Sequence, residues 1–396
     1  MLRGVPKPAP ALFTLALAYF TLGTAALSVV GLSLPISHTF HIPAVQTGLL
    51  VTAFALTFAV AALLVQSAAG HWPRKRLLLT GLAVLATGLI AGAFAPSFPA
   101  LLLTRALVAV GAAMIGPVAS ATGSQLVEPN QQPQALATVF AGFSFSSVLG
   151  VPLAAALGPV LGWRGTLLAL AALAALTALL IARLVPAVPG GSRVTPALYR
   201  RALLSPGVRP ALGASLLQLA AVFVVYGVTS SYLADRFGSA GPWISLTLLA
   251  FGMAGIVGNS VAGPLTARYG HARTLTLSLT GSILVAVALL TLPHTPAAGA
   301  AAFAAMSLFG QMFQAPQQAR LIHLNPSERG LMLALNSSVV YLGISFGSWL
   351  GSALLPGLGA QPLAWLTLAL GLLAAAASHA ARRAPHLRGR PELPLP

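Results

Sequence analysis

The sequence predicts an all-α integral membrane protein whose twelve transmembrane helices form two pseudo-symmetric six-helix halves. Three observations carry that prediction. Of 396 residues, 57% are apolar and only 6% are charged, against roughly a quarter charged in an ordinary soluble domain. The apolar residues gather into long stretches bounded by Pro, Gly or basic clusters. Finally, an offset of about 197 residues superimposes the first half of the chain on the second.

In the first half the stretches run Pro10–Leu34, Ala44–Gln66, Leu77–Ala95, Ala100–Val127, Ala135–Leu161 and Thr166–Val185. In the second they run Ala211–Ala234, Trp243–Thr266, Thr274–Leu292, Ala297–Leu324, Leu331–Leu354 and Leu363–Ala381. At about 1.5 Å per residue each is long enough to cross a hydrocarbon core of about 30 Å, and a helix satisfies its own backbone there. The short alternating segments of a barrel are absent. Span one follows Arg3 and Lys7 and is too long for a cleaved signal core, so it reads as a retained helix. Residues 1–185 and 211–381 therefore form the halves, 186–210 a cytoplasmic connector containing Pro189-Gly190-Gly191, and 382–396 a cytoplasmic tail. The loops repeat as well. Gly70 to Arg76 meets Ala267 to Arg273, Val148-Leu149-Gly150 meets Ser345-Phe346-Gly347, and Glu128-Pro129-Asn130 answers Asn325-Pro326-Ser327-Glu328.

An even span number puts both termini on one side. Of the 21 Lys and Arg residues, Arg164 and Arg236 fall on the opposite side and Arg105 inside span four; the others, Arg320 included, fall on the terminal side. The positive-inside bias places the termini in the cytoplasm, and the plasma (inner) membrane is the expected location. The net charge of +17 is then topology rather than nucleic-acid affinity.

Composition also excludes chemistry. The four acids, Glu128, Asp235, Glu328 and Glu392, are too few and scattered for paired-carboxylate or two-metal catalysis. With no cysteine there are no disulfides, thiolate nucleophiles or Cys-ligated metals. No phosphate loop or dinucleotide fingerprint is present. The expectation is no enzyme, no metal and no cofactor, with gradients as the source of energy.

Four passages carry a family resemblance: Gly23-Thr24-Ala25-Ala26 through Gly31-Leu32-Ser33-Leu34-Pro35 into Gln46–Leu56; the basic loop Gly70-His71-Trp72-Pro73-Arg74-Lys75-Arg76; Gly150-Val151-Pro152-Leu153 with Gly162-Trp163-Arg164; and Ala334–Ser338 with Leu342–Gly351. On these residues the chain resembles the major facilitator superfamily over nearly its whole length, and within it the proton-linked arabinose-efflux and drug-exporter type. The resemblance implies a monomer exporting a small organic solute by rocking two halves about a midplane site, with protons as the counter-substrate. Gly70, Arg74 and Lys75 would be the conformational loop, and Gly150 with Pro152 the exporter motif of helix five.

The chain departs from the pattern where acids are expected, with Ala25 and Ala26 in span one and with Gly70 and Ala267 in the two loops. The residues thus equally permit a facilitated uniporter. An importer, or a membrane receptor or scaffold, are the further alternatives. Missing loop acids should loosen the conformational balance.

Arg105 is the candidate cavity cation, disfavouring lipophilic cations and favouring neutral or anionic solutes such as sugars, nucleosides or drug-like compounds; the plainer reading is an anchor for backbone carbonyls. Gln311, Gln314, Asn336, Tyr341, Tyr226 and Tyr19 are polar groups that must face protein or water, as cavity lining or as interhelical bonds. Phe143 and Phe145 offer ring stacking or simple packing. Gly343, Gly347 and Gly351, like Gly88 and Gly92 or Gly158 and Gly162, recur every four residues and permit close helix approach, and Pro152 marks a bend. For proton coupling the candidates are His38 and His41 in the loop after span one, and Asp235 beside Arg236, which otherwise read as a solvated loop and a surface pair.

Overall fold

The computed structural model describes residues 8–128, 132–190, 195–325 and 329–383. Arg3, Lys7, Pro129-Asn130, Arg193, Pro326-Ser327-Glu328 and the tail from residue 384, with Arg388, Arg390 and Glu392, lie outside them. The described residues form helices α1 (Pro8–Gly31), α2 (Ser33–Phe40), α3 (Gly48–Ala69), α4 (Arg74–Ala93), α5 (Phe98–Gln125), α6 (Gln132–Phe145), α7 (Val151–Leu184), α8 (Pro196–Leu204), α9 (Val208–Tyr226), α10 (Thr229–Phe237), α11 (Pro242–Thr291), α12 (Pro296–Met312), α13 (Gln314–Leu324), α14 (Arg329–Leu358) and α15 (Ala360–Arg383).

Among the described residues ten segments are long and apolar enough to cross a membrane. Two are too long for one crossing: Thr138–Leu184 has 47 residues and Pro242–Thr291 has 50, which as straight helix would extend about 75 Å. Each turns at one glycine in a non-helical conformation, Gly162 (φ 67°, ψ 166°) and Gly270 (φ 80°, ψ 157°), where a side chain would be strained. Divided there, the ten become the twelve expected spans. Gly162 is therefore a turn residue; nothing lies within 4 Å of its Cβ direction, so it makes no close helix contact.

The repeat is visible in the backbone. Left-handed residues recur as His41 and Gly238, and as Gly162 and Gly359, each pair the same 197 positions apart as Ser33 and Ser230, whose hydroxyls bond each other at 2.9 Å. When equivalent residues touch, the pseudo-two-fold axis runs between them, here at the face opposite the chain ends. Spans one and seven both break close to that point, at Leu32 and at Val228. Spans four and ten start alike, with Ser97 and Thr295 accepting the backbone N–H groups of Ala100 and Ala298, the side-chain cap that frees no donor.

Small residues set the helix contacts. Carbonyl oxygens of Leu216, Ala220 and Val224 on α9 lie 2.4, 2.4 and 2.2 Å from where a Cβ would stand on Gly343, Gly347 and Gly351 of α14. In the first half Gly150 packs against the side chain of Thr24 rather than against a carbonyl. Pro152 cannot donate to the residue four before it; a π-helical turn, Ser146–Gly150, precedes it, with the Val151 N–H reaching back to the Ser146 carbonyl. At the face of the chain ends, the backbone N–H of Arg74 donates to the Val188 carbonyl at 3.0 Å and Lys75 Nζ to the Ala182 carbonyl at 2.8 Å. Lys75 thus meets the negative end of span six, and in the second half Arg382 closes the corresponding contact onto Ala272 and Thr276. The loop beginning at Gly70 is tied to the connector without an acid.

Candidate functional site

A narrow cleft lies between the halves, with a free volume of only about 20 Å³ in this arrangement, so that a solute larger than water enters only as the halves part. One wall is Phe140, Phe143 and Ser144 of α6; the other is Gly252, Gly255, Ile256 and Asn259 of α11 with Gln311 of α12 and Gln314 of α13. The spacings of three, four and seven place each set on one helix face. Behind the first wall stands Tyr19 of α1, its ring 5.2 Å from that of Phe140 and 6.5 Å, edge-on, from that of Phe143. Tyr19 also shares a hydroxyl bond with Ser120 at 3.1 Å. Phe145, two residues beyond Phe143 and so turned well away from it, is 50% exposed and takes no part in the wall. Gly255 lets α11 and α12 close up, a Cβ there falling 3.2 Å from Gln311 Cγ. Among the described residues the carboxamides of Asn259, Gln311 and Gln314 have no hydrogen-bond partner.

Toward the far face the halves are joined. Ser345 Oγ donates to the Thr52 carbonyl at 3.2 Å, and the Tyr341 ring stacks on Phe58 at 3.8 Å. Phe54 continues this group and carries the Arg105 guanidinium on its face at 4.9 Å. Arg105 is 2% exposed. It donates to the carbonyls of Ala25 and Ala26 at 2.8 and 2.6 Å and more weakly to that of Leu50 at 3.5 Å, tying spans one, two and four. The carbonyls at the positions where acids were expected thus receive the guanidinium instead.

Arg105→Met should therefore lower the maximum transport rate about ten-fold, about 1.4 kcal/mol in barrier, and leave the half-saturation concentration within about two-fold. Arg105→Lys should not restore it, since an ammonium cannot bridge two carbonyls as a planar fork does. Initial-rate counterflow in proteoliposomes checks both. Stability should change little, because the cost of burying the guanidinium offsets the bonds it makes.

The remaining candidates lie elsewhere. Tyr226 is packed against Phe251 at 4.2 Å and Phe223 at 5.3 Å. Asn336 accepts from Ser215 Oγ at 2.8 Å in a buried network toward the face of the chain ends: Gln317 donates to Ser215 and to the Ala211 carbonyl, and Arg320 donates to Gln317 Oε1 and to Ser378. This network binds spans seven, ten, eleven and twelve. Arg320, expected among the terminal-side loop charges, is only 3% exposed, so Arg105 is not alone inside the bundle.

Asp235 is exposed and Arg236 buried, and the two do not pair with each other. Asp235 Oδ2 accepts the Ala360 N–H at 2.7 Å, at the start of span twelve. Arg236 donates to the carbonyls of Leu289, Leu290 and Leu292 at 3.1, 3.2 and 2.9 Å, at the end of span nine. An anion at a helix start and a cation at a helix end both complement the peptide dipoles. His38 and His41 are exposed at the far face. Among the described residues no three His, Asp or Glu converge as a metal site requires. The sequence reading missed Asn259 and Ser144 in the cleft and the pair Gln317–Arg320; the recurrence of glutamine at 311, 314 and 317 was the available signal for Gln317.

The family described as Major Facilitator Superfamily matches residues 12–229 and again 211–394. Two proteins of Bacillus subtilis (strain 168) are similar along most of their length. The uncharacterized MFS-type transporter YbcL is 26% identical over 366 residues, covering 92% of this chain and 93% of that protein. The uncharacterized MFS-type transporter YfhI is 28% identical over 368 residues, covering 90% and 89%. Among solved structures, the crystal structure of a bacterial homolog of the human lysosomal transporter Spinster, inward-facing and unoccupied, matches with a TM-score of 0.71 at 16% identity, covering 95% of this chain and 97% of that one. Its inward-facing, occupied form matches with a TM-score of 0.70 at 15% identity and the same coverage. At these identities the structural likeness speaks for the fold.

Proposed function

The chain belongs to the Major Facilitator Superfamily and is a multi-pass membrane transporter, and on that premise we propose that it exports a small uncharged organic solute by alternating access, without passing a proton through a membrane carboxylate. The observation that carries this is the cleft between the halves, lined by neutral carboxamides and aromatic rings, with the buried cation Arg105 turned onto the carbonyls of Ala25 and Ala26. A guanidinium held this way has no carboxylate to exchange a proton with, and a cleft of neutral groups favours a neutral solute because a charged one would lose far more hydration on entering it.

In this reading residues 1–185 and 211–381 rock as two bodies about the connector, one monomer enclosing one cleft. The positive-inside bias makes the face of the chain ends cytoplasmic in the plasma membrane. The contacts Ser33–Ser230, Thr52–Ser345 and Phe58–Tyr341 are then the outer closure. Export is supported by the Gly150-Val151-Pro152 passage, which resembles the exporter motif. Catalysis has no place in the scheme.

The test is efflux from preloaded cells and proteoliposomes, with and without a protonophore. Saturable export down the solute gradient, unchanged by the protonophore, is the expected result. Export abolished by it would establish proton antiport, and absence of saturable flux would favour a receptor or scaffold.

A further inference from the structure

We infer that the solute is an uncharged planar ring with an amide-like edge, held by its face in one half of the protein and read along its edge by the other; this rests on the transporter reading above and names its substrate class.

The two walls of the cleft differ in chemistry. The first-half wall supplies rings: Phe140 and Phe143, backed by Tyr19, with interplanar angles of 45° and 85° to it. Such a cluster offers both faces and edges to an inserted ring. The second-half wall supplies amides: Asn259, Gln311 and Gln314. Each carries one acceptor oxygen and a two-donor nitrogen side by side. All three are half-buried on the cleft wall, and among the described residues no protein group bonds their carboxamides. They remain for water or for the solute.

A carboxamide pairs in bidentate fashion with an edge that presents a donor next to an acceptor, as Asn and Gln do with a purine edge. A polyol would satisfy the amides and leave the rings without a planar partner. An alkylated aromatic would use the rings and leave the amides unpaired. A planar ring with an N–H and C=O edge uses both walls at once. Charge is disfavoured because the lining holds no ionisable side chain. Since the walls belong to different halves, a solute that engages both stabilises the closed arrangement over either open one, which links recognition to the rocking motion.

The experiment is counterflow into proteoliposomes containing the full-length protein, with uracil, hypoxanthine, 1,3-dimethyluracil, arabinose and rhodamine 6G as probes. Saturable counterflow of uracil or hypoxanthine is expected. Masking both N–H groups in 1,3-dimethyluracil should raise half-saturation at least about ten-fold relative to uracil, because a site built to bond an edge rejects the analogue lacking it. Gln311→Leu should raise the half-saturation of the amide-edged rings about ten-fold or more and that of 1,3-dimethyluracil less than about two-fold. Phe143→Leu should raise all three alike.

The probe comparison on the unaltered protein stands even if a variant fails to fold. Equal half-saturation for uracil and its dimethyl analogue would overturn the inference. So would flux of arabinose or rhodamine 6G without flux of either amide-edged ring, an outcome that leaves the transporter reading intact. Saturable flux of none of the five would overturn the inference as well, and the transporter reading is then decided separately by the efflux test above.

Discussion

Replacing Gly347 by valine is expected to give a protein that does not assemble into a monodisperse, transport-competent form. A Cβ at Gly347 would sit 2.4 Å from the Ala220 carbonyl oxygen, and its neighbours in the row, Gly343 and Gly351, face the Leu216 and Val224 carbonyls just as closely. The obstacle is helix backbone on both sides, so neither element can yield locally and spans seven and eleven must separate along their length. Overpacking of this kind costs about 1–3 kcal/mol at a single core site, and separation would also remove the close Cα–H and carbonyl contacts that such glycine rows permit.

Size-exclusion profiles and thermal unfolding in detergent measure the effect. Gly347→Ala should be milder but in the same direction. The control is Gly213→Ala on α9, where nothing lies within 4 Å of the new methyl; it should be neutral or slightly stabilising, alanine being favoured over glycine in a helix by roughly 0.5–1 kcal/mol.

The spans and their repeat were legible in the sequence because both depend on run length and spacing, which survive without coordinates. An apolar run near 20 residues admits few folds in lipid, and Gly162 and Gly270 stood between such runs. Within the cleft, Gln311, Gln314 and Phe143 could be nominated because each interrupts or enlarges an apolar pattern. Asn259 was hidden by its small neighbours Gly258 and Ser260, a stretch that reads as helix packing.

Azimuth was the missing quantity. Asn336 and Tyr226 have the same signature as Gln314, an isolated polar group in an apolar run, yet one joins a network with Ser215 and the other lies against Phe251. Adjacency misled at Asp235 and Arg236. Neighbouring residues on a helix do not face each other, and these two reach the ends of different helices. The particular acceptors of Arg105 and Arg236 were invisible for another reason. Backbone carbonyls accept hydrogen bonds whatever the residue, so the acceptors of Arg105 at Ala25 and Ala26 leave no trace in side-chain identity.

The central claim is that the two halves part at the outer face during each cycle. The chain contains no cysteine, so Ser33→Cys with Ser230→Cys creates a single possible pair at the pseudo-two-fold axis, where the native hydroxyls are 2.9 Å apart. Hydroxyls in hydrogen-bond contact bring the two side chains within reach of each other, which a cross-link at this point requires. The measurement is solute flux before oxidation, after oxidation and after reduction. The account predicts free flux in the reduced protein, loss of essentially all flux once the pair is oxidised, and recovery with reductant. Flux undiminished in fully cross-linked protein would contradict it, since the solute would then cross without the halves separating at Ser33 and Ser230.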